Sequence, residues 1–307
     1  MRILVTGGAG FIGSHLVDRY LAEGHDVVVV DNLATGRRRN LNPKAAFHEV
    51  DITDFDALLT VAEQEQPQLI NHHAAQMDVR RSVAEPQFDA RTNIIGTINV
   101  IEAALAVHAA KIIFASSGGA IYGEPERIPA DESHPLRPIS HYGASKLAGE
   151  VYLELYGRLR GLKYTILRYA NIYGPRQNPQ GEAGVNAIFA GLMLAGERPT
   201  IFGRGDKTRD YVYVGDIAQA NVLALDRADG EVLNIGTGVQ TTDQEVYDAV
   251  AAAVGFDEPP IYGDERPGDV RHSALDATRA QQILGWQPRV AFREGVKLTV
   301  DYQREKE

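Results

Sequence analysis

Cysteine is missing from the chain, so a disulfide framework, a thiolate nucleophile and a zinc–thiolate site are all excluded. Cationic excess is missing too: 31 Lys and Arg stand against 41 Asp and Glu, a formal net charge of −10. No basic tail and no interleaving of basic with aromatic residues offers a surface to nucleic acid. No apolar run approaches the roughly 20 residues of a membrane span. Neither repeats nor low-complexity tracts are evident. A glycine-rich motif follows Met1 so closely that no room remains for a signal peptide, so a soluble, cytoplasmic protein is expected. What the chain has is bulk. Its 307 residues are 44% hydrophobic, enough for one large or two ordinary domains and a sizeable core.

The rest of the sequence is organised around Val5-Thr6-Gly7-Gly8-Ala9-Gly10-Phe11-Ile12-Gly13. A short apolar run, Ile3-Leu4-Val5, precedes it and reads as a buried strand. Ile12, Leu16 and Tyr20 follow at helical spacing, in a helix from about Phe11 to Glu23 that stops at Gly24. Strand, glycine turn and helix form the context of a dinucleotide fingerprint, and Gly8, Gly10 and Gly13 satisfy the G-x-G-x-x-G spacing. Glycine lets the backbone approach a pyrophosphate, whose charge then sits on the free N–H groups of the helix start. A second apolar run, Val27-Val28-Val29-Val30, ends in Asp31, placed to accept hydrogen bonds from a ribose diol. Arg37, Arg38 and Arg39 would suit a 2′-phosphate, but Asp31 would repel one. The reading is therefore NAD, with the arginines mostly at the surface.

Further along, Phe47-His48-Glu49-Val50 reads as a strand leading to Asp51-Ile52. That pair suits an adenine, and Asp51 equally suits an N-cap of the next helix. Leu69-Ile70 leads into Asn71-His72-His73-Ala74-Ala75-Gln76. Adjacent histidines on a strand point to opposite faces, so no metal site is expected. The small Ala74 and Ala75 would let a cofactor pass close. Residues 88–108 read as a helix with Ile94, Ile95, Ile98, Ile101 and Leu105 on one broad face. Asn93 beside that face either bridges backbone groups or touches the cofactor.

Lys111-Ile112-Ile113-Phe114-Ala115 reads as a buried strand ending in the hydroxyls of Ser116 and Ser117, where ligands bind in open α/β sheets. A Pro-rich loop runs from Pro125 to Pro138. Tyr142 and Lys146 then fall at i, i+4 on a helix reaching about Arg160. An ammonium beside a tyrosine lowers the phenol pKa and makes it a usable base. The pair gains specificity from the hydroxyl-bearing strand end and the glycine turn that precede it.

These motifs resemble the extended branch of the short-chain dehydrogenase/reductases, in particular the UDP-glucose 4-epimerase-like sugar-nucleotide enzymes. The resemblance spans essentially the whole chain. It continues through Leu167-Arg168-Tyr169-Ala170-Asn171-Ile172-Tyr173-Gly174-Pro175, Arg209-Asp210-Tyr211-Val212-Tyr213-Val214, Arg266-Pro267-Gly268-Asp269 and Leu284-Gly285-Trp286. It implies a doubly wound parallel sheet (a Rossmann fold) with a smaller C-terminal substrate domain. The NAD-binding part would comprise 1–170 and 208–236, and the sugar-nucleotide-binding part 171–207 and 237–307. Gly7, Gly10 and Gly13 would shape the turn, with Phe11 and Ile12 donating N–H groups to the pyrophosphate. Asp31, Asn32, Asp51, Ile52, Ala74, Ala75 and Asn93 would complete the cofactor site. Tyr142 would be the base and Lys146 would hold the nicotinamide ribose. Asn171, Val185, Asn186, Arg209, Arg266 and Asp269 would hold UDP, and Ser273 would lie by the sugar's C2 side. A homodimer through the helices at 88–108 and 141–160 is implied as well.

One departure stands out. The family's catalytic Ser or Thr lies four residues before the Tyr of its Val-Tyr-Gly segment, and here that slot is Gly118. Either Ser117, its neighbour, takes over the hydrogen bond to the sugar hydroxyl, or the site works with Tyr142 and a water; Ser117 is the expected replacement. The implied reaction is reversible C4 epimerisation of a UDP-hexose, with acceptance of N-acetylated sugars because Ser273 is small. A 4,6-dehydratase would need an Asp-Glu pair where Gly119 and Ala120 stand. A uronate epimerase or a decarboxylase would use Arg176 on a C6 carboxylate. A non-catalytic NAD-binding sensor would have lost the Tyr142–Lys146 pair.

Overall fold

The computed structural model describes residues 1–179, 184–265 and 270–305. Seven strands form one parallel sheet: β1 (Arg2–Thr6), β2 (Asp26–Asp31), β3 (Ala46–Glu49), β4 (Leu69–His72), β5 (Lys111–Ser117), β6 (Lys163–Tyr169) and β11 (Glu231–Ile235). Their order is β11-β6-β5-β4-β1-β2-β3. The chain first winds outward from β1 to β3, then restarts at β4 on the other side of β1. That reversal leaves a crevice at the carboxyl ends of β1 and β4, the switch point where ligands bind.

Alternation explains the core. Ile3, Val5, Val27 and Val29 face one layer, built from α1 (Phe11–Ala22), α9 (Val214–Leu223), α11 (Thr278–Leu284) and the buried Trp286. Leu4, Val28, Val30, Ile70, Ile112 and Phe114 face the other. There they meet α2 (Phe55–Glu65), α5 (Gly96–Ala106) and α7 (His141–Arg160). A strand buried on both faces needs the unbroken apolar runs that the sequence shows. The doubly wound sheet that the resemblance implies is the architecture found.

Among the described residues, three two-stranded sheets lie outside the main one. In the first, β7 (Asn171–Tyr173) pairs with β10 (Tyr211–Tyr213). In the second, β8 (Thr200–Phe202) pairs with β13 (Ile261–Gly263). In the third, β9 (Thr208–Arg209) pairs with β12 (Thr241–Thr242). A separate apolar cluster joins α8 (Val185–Leu194), α10 (Asp243–Val254) and α12 (Phe292–Arg304) around Tyr173, Phe189 and Tyr247. The chain returns to the main sheet with α9 and β11. Among the described residues no helix is long and apolar enough to cross a membrane.

Two local features bear on the site. The helix expected over 88–108 is present: after α3 (Val79–Ala84), α4 (Pro86–Ala90) runs through one wide π turn at Arg91–Ile95 into α5 without leaving helical backbone, and only its inward face differs from the expected one. Its buried stripe is Asn93, Gly96, Thr97, Val100 and Ile101, while Ile95 is half exposed. Close packing decides this. A Cβ on Gly96 would lie 2.6 Å from Ile52 Cδ1, so the backbone at 96 faces inward there and Ile95 beside it turns outward. Second, α6 (Gly118–Ile121) puts one helical turn directly after β5.

Candidate active site

The glycine turn is built on Gly7, Gly10 and Gly13 rather than on the triplet beginning at Gly8. Gly7 has φ +72°, and a Cβ there would fall 2.7 Å from Ala74 N. A Cβ on Gly13 would fall 2.2 Å from Gly7 O, and one on Gly10 3.1 Å from the same atom. Gly8 instead leaves room for Val29 of β2, whose Cγ1 lies 2.7 Å from its Cβ position. The result is a tight turn against the end of β4, opening onto an α1 start that no side chain caps. Its first N–H groups are oriented for an anion.

Asp31 is nearly buried and spans the turn. It accepts from Ala9 N at 3.0 Å and Leu33 N at 2.8 Å, and Gly36 packs against it. Burial raises its pKa, and the two backbone donors work against that rise. Asn32 donates to Asp51 at 2.7 Å, while Asp51 also holds Thr53 N and Oγ1. Burial would raise the Asp51 pKa, but these bonds outweigh it and leave it lowered. The N-cap of α2 is Asp54, through Ala57 N, so Asp51 does not start that helix. Arg37 donates to Asn178 and Arg38 pairs with Glu49.

The two histidines diverge as adjacent strand residues must. His72 sits between Thr6 and Thr97, and burial depresses its pKa well below normal. His73 stacks on Tyr169. Ala74 N donates to Thr6 Oγ1 at 3.1 Å, which holds the end of β4 against β1. Of the two roles open to Asn93, the structure shows the bridging one. Its Oδ1 accepts from Gln76 N, and its Nδ2 faces Gln76 O, Asp89 Oδ1 and Ser145 Oγ.

Ser140 caps α7 by accepting from Gly143 N at 3.0 Å, and Ser82 of α3 accepts from Tyr142 N at 3.1 Å. These bonds fix the first turn, which carries Tyr142. Burial lifts the Tyr142 phenol to about 12, a hydrogen bond with Ser117 lowers it, and Asp89 raises it. Lys146 lies one turn further along α7. The lysine is 5% exposed, with its ammonium 4.6 Å from the Phe114 ring centroid. Burial lowers its pKa to about 8 against the pull of Glu150 and Asp89. Glu150, one turn further along α7, is clamped by Arg168 of β6 at 2.6 Å and by Ser116. These buried acids were not singled out in the sequence. Glu150 was within reach, since it lies at i+4 from Lys146; Asp89 carries no sequence signal.

On the substrate side, Asn171 Oδ1 lies 3.6 Å from where a side chain on Gly119 would begin. Asn186 is 1% exposed near the start of α8, and neither of its amide atoms has a hydrogen-bond partner among the described residues. Val185 opens the same helix and packs on the third cluster. The Arg209 guanidinium hydrogen-bonds Thr208 O at 2.8 Å. The acids beside it are engaged elsewhere: Asp206 with Arg204 and Arg271, and Asp210 with Thr237, Gly238 and Leu275. Ser273 is buried, and His272 turns away to Thr208 Oγ1. Arg266 and Asp269 lie outside the described residues. Arg176, the cation expected for a C6 carboxylate, pairs instead with Asp18 of α1 at 2.6 Å.

A parallel sheet with this glycine turn at its switch point and a tyrosine–lysine pair on the adjoining helix defines the short-chain dehydrogenase/reductase class. Residues 3–236 match the model of the NAD dependent epimerase/dehydratase family, and the chain belongs to that family. It is 49% identical over 312 residues to a UDP-glucose 4-epimerase of Mycolicibacterium smegmatis, covering 100% of this chain and 99% of the relative. The fold matches the crystal structure of Thermotoga maritima UDP-glucose 4-epimerase with UDP-glucose. The TM-score is 0.98 at 50% identity, covering 100% of this chain and 99% of that one. It also matches the Thermus thermophilus UDP-glucose 4-epimerase complex with NAD. There the TM-score is 0.94 at 47% identity, with 99% of each chain covered. The enzyme is NAD-dependent. The turn fits the cofactor, since a cradle that any Cβ would fill and an uncapped helix start suit a pyrophosphate.

Proposed function

We propose that the chain interconverts UDP-glucose and UDP-galactose by inversion at C4. The observation that carries this reading is the placing of Tyr142 and Lys146 in successive turns of α7, packed against a turn whose residues Gly119 and Ala120 have no side chain able to move a proton. A dehydratase would need acid–base groups at those positions. The engagement of Arg176 with Asp18 speaks against a uronate.

In this reading, Tyr142 acts as the phenolate and takes the proton of the sugar's 4-hydroxyl, becoming the phenol, and Ser117 hydrogen-bonds the same oxygen. Bound NAD supplies the hydride acceptor and then the hydride donor at C4, and is unchanged at the end of a cycle. Asn171, Val185, Asn186, Arg209, Arg266 and Asp269 hold the UDP moiety while the 4-keto sugar turns over. Tyr142 then returns the proton to the 4-oxygen. Asp31 accepts from the adenosine ribose and the Asn32–Asp51 pair borders the adenine with Ile52. Ala74 and Ala75 line the cofactor's path. Lys146 holds the nicotinamide ribose, with Glu150 and Arg168 fixing its helix from behind. The buried, small Ser273 supports acceptance of an N-acetyl group at C2. The division into 1–170 with 208–236 and 171–207 with 237–307 assigns cofactor and sugar nucleotide to separate parts. A cysteine-free chain acting on nucleotide sugars suits the cytoplasm. The apolar outer face of α7 is assigned to a homodimer.

The test is incubation with UDP-glucose and with UDP-N-acetylglucosamine, products being read by proton NMR. UDP-galactose should appear, and Tyr142→Phe should lose turnover by roughly 10²–10⁴-fold while still binding the nucleotide sugar. No change at C4 in either substrate overturns the reading.

A further inference from the structure

His73 directly follows β4, its ring on the side opposite that of His72, and the chemistry above makes no use of it. Its ring stacks on Tyr169 with centroids 5.8 Å apart and an interplanar angle of 28°. Its Nε2 lies 3.1 Å from the Tyr169 hydroxyl. Its Nδ1 is buried and has no hydrogen-bond partner among the described residues.

Which ring nitrogen carries the proton follows from the network behind Tyr169. Asn221 Nδ2 donates to the Ile217 carbonyl at 2.9 Å. That oxygen can only accept, so it fixes which way the amide points. The same nitrogen donates to the Tyr169 hydroxyl oxygen at 2.8 Å, and Asn221 Oδ1 accepts from Asn71 at 2.9 Å. Tyr169 therefore receives a hydrogen from Asn221 and directs its own toward His73 Nε2. Burial raises the Tyr169 pKa far above normal, so that proton stays in place. Burial and the Lys146 charge push the His73 pKa down to about 3, so its ring is neutral. A neutral imidazole that accepts at one nitrogen carries its proton on the other. The partnerless Nδ1 is thus a buried donor, and a buried donor calls for an acceptor.

The place narrows the acceptor. The His73 carbonyl carbon lies 2.9 Å from where a side chain on Gly7 would begin, so the strand end abuts the glycine turn. We propose that His73 Nδ1–H is a binding donor for an oxygen of the dinucleotide, on its pyrophosphate or on its nicotinamide carboxamide. The inference rests on the reading that the glycine turn holds NAD.

His73→Phe keeps a ring against Tyr169 and removes the donor. NAD and ADP-ribose are titrated calorimetrically into the nucleotide-free, full-length parent and variant. NAD affinity should fall about tenfold in the variant, the size of one lost hydrogen bond. An equal fall for ADP-ribose places the acceptor on the pyrophosphate; an unchanged ADP-ribose affinity places it on the nicotinamide. Equal affinity of parent and variant for NAD overturns the inference while leaving the proposed function standing. A parent that binds neither nucleotide overturns the glycine-turn reading itself. Ring ¹⁵N NMR of the parent decides the matter even where the variant fails to fold. An Nδ1–H tautomer whose signal shifts on adding NAD is expected. An Nε2–H tautomer, or an Nδ1 signal that NAD does not move, overturns the inference.

Discussion

At Gly118 a missing side chain has a structural counterpart. A Cβ there would sit 2.5 Å from Leu275 Cδ1, and Leu275 is 1% exposed in a small cluster with Ile121, Tyr122 and Ala130. The backbone N–H of Leu275 is held by Asp210, so the leucine cannot simply withdraw. The proposed source of the hydroxyl is therefore the residue before, Ser117. Ser116 does not compete for that task, because its hydroxyl is committed to Glu150. Ser117→Ala should lower kcat roughly 10- to 100-fold, the loss of a hydrogen bond to a charged group. Gly118→Ser should not restore that activity, and should reduce stability by about 1–3 kcal/mol through overpacking. Steady-state kinetics and urea unfolding of both variants check this. Recovery of activity in the Ser117→Ala/Gly118→Ser double variant would mean that Leu275 yields.

Among the elements, α7 does most to assemble the site. It carries Tyr142, Lys146 and Glu150 in successive turns, and it lies close on β5 because Gly149 faces Phe114. A Cβ on Gly149 would fall 2.7 Å from Phe114 Cζ. Phe114 is also the ring beneath the Lys146 ammonium. Gly149→Ala should therefore act twice. Unfolding free energy should drop by about 1–3 kcal/mol, and kcat should fall as the displaced ring disturbs Lys146. Denaturant unfolding and kinetics on the same preparation measure both. A loss of stability with unchanged kcat would uncouple Phe114 from Lys146. The π turn is the second element that matters, since it brings Asn93 into line with Gln76 and Ser145.

Over the whole molecule, one apolar stripe remains uncovered. Val151, Tyr152, Leu155 and Leu159 are exposed along one side of α7, Leu159 at 77%. Scattered exposed apolar residues are ordinary, but a stripe at helical spacing marks an interaction face. α7 packs beside α3 and the π turn, where Val83 and Ile95 are also exposed. A second copy meeting this face would cover it while leaving the carboxyl ends of the strands open to substrate. Leu155→Asp/Leu159→Asp should sediment as a monomer in analytical ultracentrifugation while the parent sediments as a dimer. Identical sedimentation of the two would remove α7 from the interface.

Much of this could be read along the chain because it is local. The runs at Ile3–Val5 and Val27–Val30 specify buried strands, glycine spacing specifies the turn, and i, i+4 spacing puts Tyr142 and Lys146 on one helical face. Those signals rest on the periods of strands and helices, which neighbouring residues impose on each other. What the tertiary structure decided depends on approach distances between segments far apart in sequence. Gly8 serves Val29, whereas Gly7 serves Ala74, and only the packed turn separates their roles. Ile95 faces outward and Gly96 inward because Ile52, some forty positions earlier, leaves no room for a side chain at 96. The Tyr142 pKa is raised above all by burial, with Asp89 adding to the rise, because burial and charge distance are properties of the folded molecule.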